Sequence, residues 1–186
     1  MADLSTVQVA VLATDGFEEV ELTEPVRALR EAGATVAVIA PHDGRIQGFR
    51  HHDKAASIDV DLTLGEALPA EFDALMLPGG ALNADAMRVE PNAQAFIRSV
   101  QERGRPIAAI CHAPWELISA GVVSGRQLTS YHTIQDDVRN AGGHWVDKEV
   151  VLDRNWVTSR QPGDLPAFNR EMIGLFARSV ASAPAR

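Results

Sequence analysis

The sequence predicts an α/β domain of three layers, in which a doubly wound, mostly parallel sheet lies between helices. Its apolar runs, such as residues 7–13, are nearly continuous, as expected for strands that are covered on both faces. Strand-like and helix-like segments alternate along the chain, which is typical of parallel sheets with helical crossovers. With 46% hydrophobic and 23% charged residues, the composition is that of an ordinary globular protein and excludes disordered and fibrous classes.

The first three elements predict a right-handed βαβ unit. The strand at residues 7–13 ends in a turn, and a helix follows at residues 19–32 and stops at Gly33. Pro25 leaves the first turn of that helix uncertain. A second buried strand is predicted at Thr35–Ala40.

The alternation continues to the end of the chain. The pattern predicts a strand or hairpin at 55–60, strands at 73–77 and 106–110, helices at 92–103, 115–120 and 133–141, a hairpin of 149–153 with 156–159, and a final helix at 164–180 that Asp164 caps. We interpret residues 1–186 as one domain, with 182–186 as a frayed tail.

Charge and cysteine content narrow the function. The 17 basic and 25 acidic residues give a net charge of −8, which argues against general nucleic-acid binding and against docking on anionic membranes. No run is long enough to span a membrane, and the first residues lack a signal-peptide pattern. The one cysteine, Cys111, excludes an internal disulfide and suits a reducing compartment, so we expect a cytoplasmic protein.

Ligands of such folds bind beyond the carboxyl ends of the strands, where unusual residues occur here in three places. They are residues 15–18 after the first strand, Gly79-Gly80 after the third core strand and Cys111-His112 after the fourth. Ala109 and Ala113 flank Cys111 at the spacing where a nucleophile elbow needs small residues. An elbow would expose the thiol near a helix N-terminus, which lowers a thiol pKa. The alternative is a buried, unreactive cysteine.

The neighbouring residues suggest roles around that thiol. His112 can act as a general base, or can simply begin a helix. Glu18 can place a protonated carboxyl against the sulfur, or can merely favour a helix N-terminus. The amides of Gly80 and His112 can form an oxyanion hole. His42, His51 and His52 fit no familiar zinc spacing, and no phosphate fingerprint is present, so no metal or cofactor is predicted.

Four ordered motifs resemble the ThiJ/PfpI family, of the class I glutamine amidotransferase-like superfamily. They are Phe-Glu-Glu-Val-Glu-Leu at 17–22, Asp-Ala-Leu-Met-Leu-Pro-Gly-Gly at 73–80, Ala-Ile-Cys-His at 109–112 and Thr-Ser-Arg-Gln-Pro-Gly-Asp-Leu at 158–165. The chain looks closest to the PfpI branch of intracellular proteases and general stress proteins. The resemblance implies a flavodoxin-like sandwich and a homodimer, which some members assemble into hexamers.

The resemblance also implies roles for individual residues. Cys111 matches the nucleophile, His112 the catalytic histidine and Glu18 the glutamate that contacts the thiol, with the oxyanion amides at Gly80 and His112. Asp85 is the best match for a carboxylate that orients the histidine from a neighbouring subunit, in a loop one residue longer than in many relatives. Two positions depart from the family's pattern: Ala113, where glycine is common, and Trp115, where glutamine is common.

Three functional hypotheses follow. The first is a stress-related cysteine hydrolase that acts on peptides, or as a deglycase or glyoxalase on methylglyoxal adducts, without a cofactor. The second is a redox-sensing protein whose Cys111 is oxidised to sulfinic acid. The third, a holdase-type chaperone, is supported only by family analogy.

Overall fold

The computed structural model describes residues 3–181, with side chains through residue 179. The strands are β1 (Gln8–Leu12), β2 (Phe17–Glu18), β3 (Thr35–Ala40), β4 (Arg45–Arg50), β5 (Asp53–Asp59), β6 (Leu62–Thr63), β7 (Ala74–Leu77), β8 (Ile107–Ile110), β9 (Gln127–Leu128), β10 (His144–Trp145), β11 (Val150–Asp153) and β12 (Trp156–Ser159). The helices are α1 (Glu19–Glu31), α2 (Ala81–Met87), α3 (Pro91–Glu102), α4 (Pro114–Ser119), α5 (Gln135–Asn140) and α6 (Leu165–Ala181).

A seven-stranded sheet forms the middle layer, in the order β11-β12-β8-β7-β1-β3-β6. Every neighbouring pair in it is parallel except β11 with β12, which form the predicted antiparallel hairpin. The sheet has an apolar core on each face, because successive side chains of a strand point to opposite sides. In β1, Val9 and Val11 join the core that includes α1 and α6, whereas Ala10 and Leu12 join the core that includes α3 and α4. The predicted three-layer, mostly parallel α/β fold is therefore confirmed.

Other elements differ from the sequence prediction. Residues 45–59 form one hairpin, β4–β5, which pairs with the short β2 beside the main sheet. Residues 81–87, predicted as a loop, form α2. Asp164 lies in a 3₁₀ turn before α6, where its carboxylate accepts hydrogen bonds from the amide and guanidinium of Arg160, so it is not a simple helix cap. The predicted tail at 182–186 lies outside the described residues. Between residues 3 and 181, no helix is both long and apolar enough to cross a membrane.

Candidate active site

Cys111 lies on a sharp turn between β8 and α4. Its φ of +63° is unusual for a residue other than glycine, and such a conformation in a nucleophile turn is a form of local strain found at functional sites. The amide of Cys111 donates to the Ser159 carbonyl at 3.0 Å, and the Tyr131 amide donates to the Cys111 carbonyl at 2.8 Å. The turn brings Sγ to 3.2 Å from Nδ1 of the adjacent His112, a contact that two consecutive side chains make only because of this backbone geometry.

Two backbone amides face the sulfur, those of Gly80 and His112. These are the amides predicted for an oxyanion hole. Gly80 has a φ of +95°, and a side chain there would collide with the backbone of Phe17 and Glu18. A Cβ on Gly79 would in turn overlap Glu21 and Cys111. The two glycines therefore allow the chain after β7 to approach the thiol closely.

The carboxyl beside the thiol belongs to Glu21, not to the predicted Glu18. Glu21 is fully buried on α1. The Cys111 thiol and the Gly79 amide face its carboxyl group, although neither reaches the geometry of a full hydrogen bond. Glu18 lies one residue before α1, in β2, and its Oε2 accepts a hydrogen bond from the His51 amide at 3.0 Å. The start of the helix between them turns the two side chains in different directions.

Glu18 is one of three acidic residues that hold the β4–β5 hairpin over the site. Asp15 accepts a hydrogen bond from the Gln47 amide at 2.7 Å. Glu19 accepts one from the Ala56 amide at 3.1 Å and pairs with the guanidinium of Arg50. Acidic residues of segment 15–21 therefore have two roles. Asp15, Glu18 and Glu19 position the hairpin, and Glu21 faces the sulfur.

Burial controls the protonation of this site. It raises the pKa of Glu21 to about 8, and the nearby Glu18 charge adds to the effect, so the carboxyl is mostly protonated at neutral pH. Burial also raises the pKa of the Cys111 thiol, and the Glu21 charge raises it further. The predicted lowering of the thiol pKa is therefore wrong, because Cys111 is only 7% exposed and the effect of its burial outweighs that of the two amides facing the sulfur. Burial lowers the pKa of His112, which favours neutral imidazole.

Aromatic side chains hold the His112 ring. The Tyr131 ring stacks on it with centroids 4.8 Å apart, and the Trp115 ring meets it edge-on at 5.4 Å. Trp115 is itself fixed, because its Nε1 donates to Asp137 at 3.0 Å. On its far side, His112 Nε2 lies 3.4 Å from the hydroxyl of Thr133. The sequence analysis noted Trp115 as unusual but did not identify Tyr131 or Thr133, which follow β9 of the separate two-stranded β9–β10 sheet and carry no local signal of their role.

A pocket of about 690 Å³ opens above the thiol, a size suited to a small molecule. Its wall combines the elbow, the hairpin tip and the turn before α6, and its lining includes Glu18, Glu21, His51, His52, Gly80, Cys111, His112, Tyr131, Gln161 and Pro162. A groove of about 720 Å³ lies between α1 and β5, but its lining holds no nucleophile of the kind found at Cys111. We therefore place the reactive site in the pocket above Cys111.

Two groups of predicted residues lie apart from the thiol. Asp85 is exposed on α2 and is absent from the pocket lining. His42 lies 3.6 Å from Asp15, away from His51 and His52 at the pocket mouth. No cluster of metal-ligating side chains occurs among residues 3–179.

Comparison with known proteins agrees with this architecture. The model of the DJ-1/PfpI family matches residues 7–175. The chain is 46% identical over 169 residues to "Deglycase TK1284" of Thermococcus kodakarensis, covering 91% of this chain and 99% of the relative. It is 45% identical over 170 residues to "Protein/nucleic acid deglycase 2" of Escherichia coli, covering 90% and 96%. The crystal structure of Drosophila melanogaster DJ-1beta superposes with a TM-score of 0.80 at 31% identity, covering 99% of this chain and all of that one.

The match spans the elbow, the glycine turn after β7 and the acidic residues 15–21, which are the parts that build the site. The sequence resemblance is thereby confirmed, and the chain belongs to the DJ-1/PfpI family.

Proposed function

We propose that the protein is a cysteine-dependent hydrolase of the deglycase type, which acts on small glycated or carbonyl substrates. The single observation that carries this proposal is a thiol with an imidazole nitrogen 3.2 Å away and two amides facing it, at the floor of a 690 Å³ pocket. Relatives that match nearly full length are named deglycases, which supports this choice among cysteine hydrolases.

The first chemical step needs no free thiolate. As Sγ of Cys111 bonds to the carbonyl carbon, Nδ1 of His112 takes the thiol proton and the carbonyl π electrons move to oxygen. The Gly80 and His112 amides are placed to donate to that oxygen. Protonated Glu21 can donate to the sulfur while negative charge develops there. Where nitrogen is bound to the attacked carbon, collapse of this intermediate breaks the C–N bond, the imidazolium gives its proton to the departing amine, and an acyl group stays on Sγ. Water then adds to the acyl carbon, the S–C bond breaks to release the acid, and the sulfur regains a proton through His112.

Peptide hydrolysis fits this pocket less well. The hairpin tip and the turn before α6 both contribute to its wall, so the thiol lies in a pocket rather than in a long groove. Redox sensing is also a weaker candidate, because oxidation follows thiolate character and exposure, and burial raises the pKa of this thiol. We propose cytoplasmic action, since the only cysteine must stay reduced to serve as the nucleophile.

The activity is tested with a methylglyoxal-modified amine, methylglyoxal alone and a casein-type protein as substrates. We expect amine release from the modified substrate, and its loss in Cys111→Ala and Cys111→Ser. His42→Gln is the matched control, because His42 lies outside the pocket lining. Full activity of Cys111→Ser would remove the nucleophile assignment, and activity on casein alone would favour a peptidase.

We also infer a homodimer in which Asp85 of one copy approaches His112 of the other and stabilises the imidazolium. Leu82 and Val89, on either side of Asp85, are 65% and 69% exposed, and such apolar side chains are often covered by a partner. Sedimentation distinguishes dimer from hexamer. Activity per subunit that stays constant on dilution into monomers would contradict a contribution from the second copy.

A further inference from the structure

The two nitrogens of His112 face different groups. Nδ1 lies 3.2 Å from Cys111 Sγ, whereas Nε2 lies 3.4 Å from Thr133 Oγ1. Neutral imidazole carries one proton, so the group at Nε2 decides whether Nδ1 is free to accept the thiol proton. For His112 to act as the base, the proton must be on Nε2.

We propose that Thr133 is a positioning residue that sets the tautomer of His112 by accepting a hydrogen bond from Nε2–H. This inference rests on the proposed function, in which His112 Nδ1 takes the thiol proton. When the thiol donates to Nδ1, the proton is on Nε2, and the Thr133 oxygen can accept from Nε2–H without adding the charge that would favour imidazolium. The 3.4 Å separation is long, and hydrogen bonds of this kind often shorten when substrate binds.

The surrounding contacts keep the ring in this orientation. Tyr131 stacks on one face of the imidazole, and Trp115 meets it edge-on, so rotation of the ring would cost both contacts. The segment that carries Thr133 is tied to the elbow, because the Tyr131 amide donates to the Cys111 carbonyl. The thiol, the imidazole and the hydroxyl are therefore held together within one chain.

The resting protonation states of Cys111 and His112 are consistent with this tautomer. Burial raises the pKa of the thiol and lowers that of His112, so the resting pair is a thiol beside a neutral imidazole. A thiol proton needs an acceptor, and Nδ1 is one only in the tautomer with the proton on Nε2. Asp85 of a second copy, as proposed above, would serve the charged imidazolium that forms later.

The direct test is ¹⁵N NMR of histidine-labelled protein without substrate, with the His112 signals assigned by comparison with His112→Gln. We expect Nε2 of the original protein to carry the proton and Nδ1 to be unprotonated. Thr133→Val keeps the side-chain shape and removes the acceptor, so the tautomers should mix. Thr133→Ser should restore the original signals, and His42→Gln, which changes a histidine outside the pocket lining, should leave them unchanged.

Kinetics give a second readout. We expect Thr133→Val to lower kcat about tenfold with little change in KM, and Thr133→Ser to restore it; tenfold corresponds to about 1.4 kcal/mol. The proposal is overturned if Thr133→Val leaves the His112 signals unchanged, or if His42→Gln shifts them as much. The NMR result does not depend on turnover. A protein inactive on every substrate would therefore contradict the proposed function and leave this test intact.

Discussion

Among residues 3–179, two glutamates are fully buried without a hydrogen-bond partner of standard geometry, and they differ in what they face. Glu21 lies beside the thiol of Cys111, whereas Glu116 lies on α4, which packs against α2, α3 and α5. Burial raises the pKa of both carboxyls, to about 8 for Glu21 and well above the ordinary value for Glu116. A buried acid therefore does not identify a site by itself. It does so where a reactive group shares its surroundings.

The largest expected difference between the two is in catalysis. We predict that Glu21→Leu lowers kcat/KM about 100-fold, because the sulfur loses its nearby donor, a loss typical of one removed donor. Glu116→Leu should change it less than about twofold, since nothing places Glu116 at the reacting atoms. Steady-state kinetics on the glycated amine measure both. Equal losses of kcat/KM in the two variants would contradict a specific role of Glu21 at the sulfur.

For the stability of the fold, the informative variant is the one at Glu116. We predict that Glu116→Leu stabilises the fold by about 2 kcal/mol at pH 7, because it removes an unpartnered buried polar group. The unfolded chain releases the Glu116 proton near its ordinary pKa and the folded chain retains it, so the original protein loses stability as pH rises above that value. The gain should therefore grow from pH 4 to pH 7.

Urea unfolding across that range tests the stability prediction. Glu116→Gln is the matched control, because it removes the titration but keeps a buried polar group. It should remove the contribution of Glu116 to the pH dependence of stability without giving the full gain. A destabilised Glu116→Leu would mean that the carboxyl makes a stabilising contact.

The alkaline side of the activity profile should depend on Glu21. Because its pKa is about 8 and the protonated form supports the sulfur, activity should fall as pH rises through 8. We expect about a tenfold loss one unit above the pKa, where about one carboxyl in eleven is still protonated. Glu21→Gln cannot ionise and should lack this decline. A decline of the same size in Glu21→Gln would assign it to another group.

The smallest effect is expected at Glu18. Glu18→Ala removes the acceptor for the His51 amide, so the hairpin tip should become less ordered at the pocket mouth. We predict that KM rises about fivefold, about 1 kcal/mol, with kcat nearly unchanged. Glu18→Gln, which keeps an acceptor oxygen, should remain close to the original protein. A large fall in kcat would instead place Glu18 in the chemistry.

The carboxyl beside the thiol was predicted at Glu18 but belongs to Glu21, and this difference marks a limit of local sequence patterns. The order of strands and helices follows from local apolar patterns, and the convergence of Gly80, Cys111 and His112 follows from that order. The choice between two nearby glutamates depends on where α1 begins and on its phase. One signal was available, since Glu21, Pro25 and Leu29 are spaced by four and form one buried face of the helix.

Other parts of the site could not be predicted because they depend on long-range contacts. The α2 helix is fixed by Asn83, whose amide donates to the carbonyls of Pro78 and Gly79 and accepts from the Thr14 amide. The contact of Thr133 with His112 joins residues 21 positions apart. The protonation of the thiol depends on its burial, which the elbow pattern alone does not reveal.

The central claim, that Glu21 is the carboxyl coupled to the thiol, is tested most directly by titrating Cys111. Because the protein has one cysteine, thiolate absorbance reports this residue alone. We predict that Glu21→Gln lowers the pKa of the thiol, because it removes the adjacent negative charge. Glu18→Gln should change that pKa much less. A thiol pKa that moves in Glu18→Gln and stays fixed in Glu21→Gln would contradict this claim.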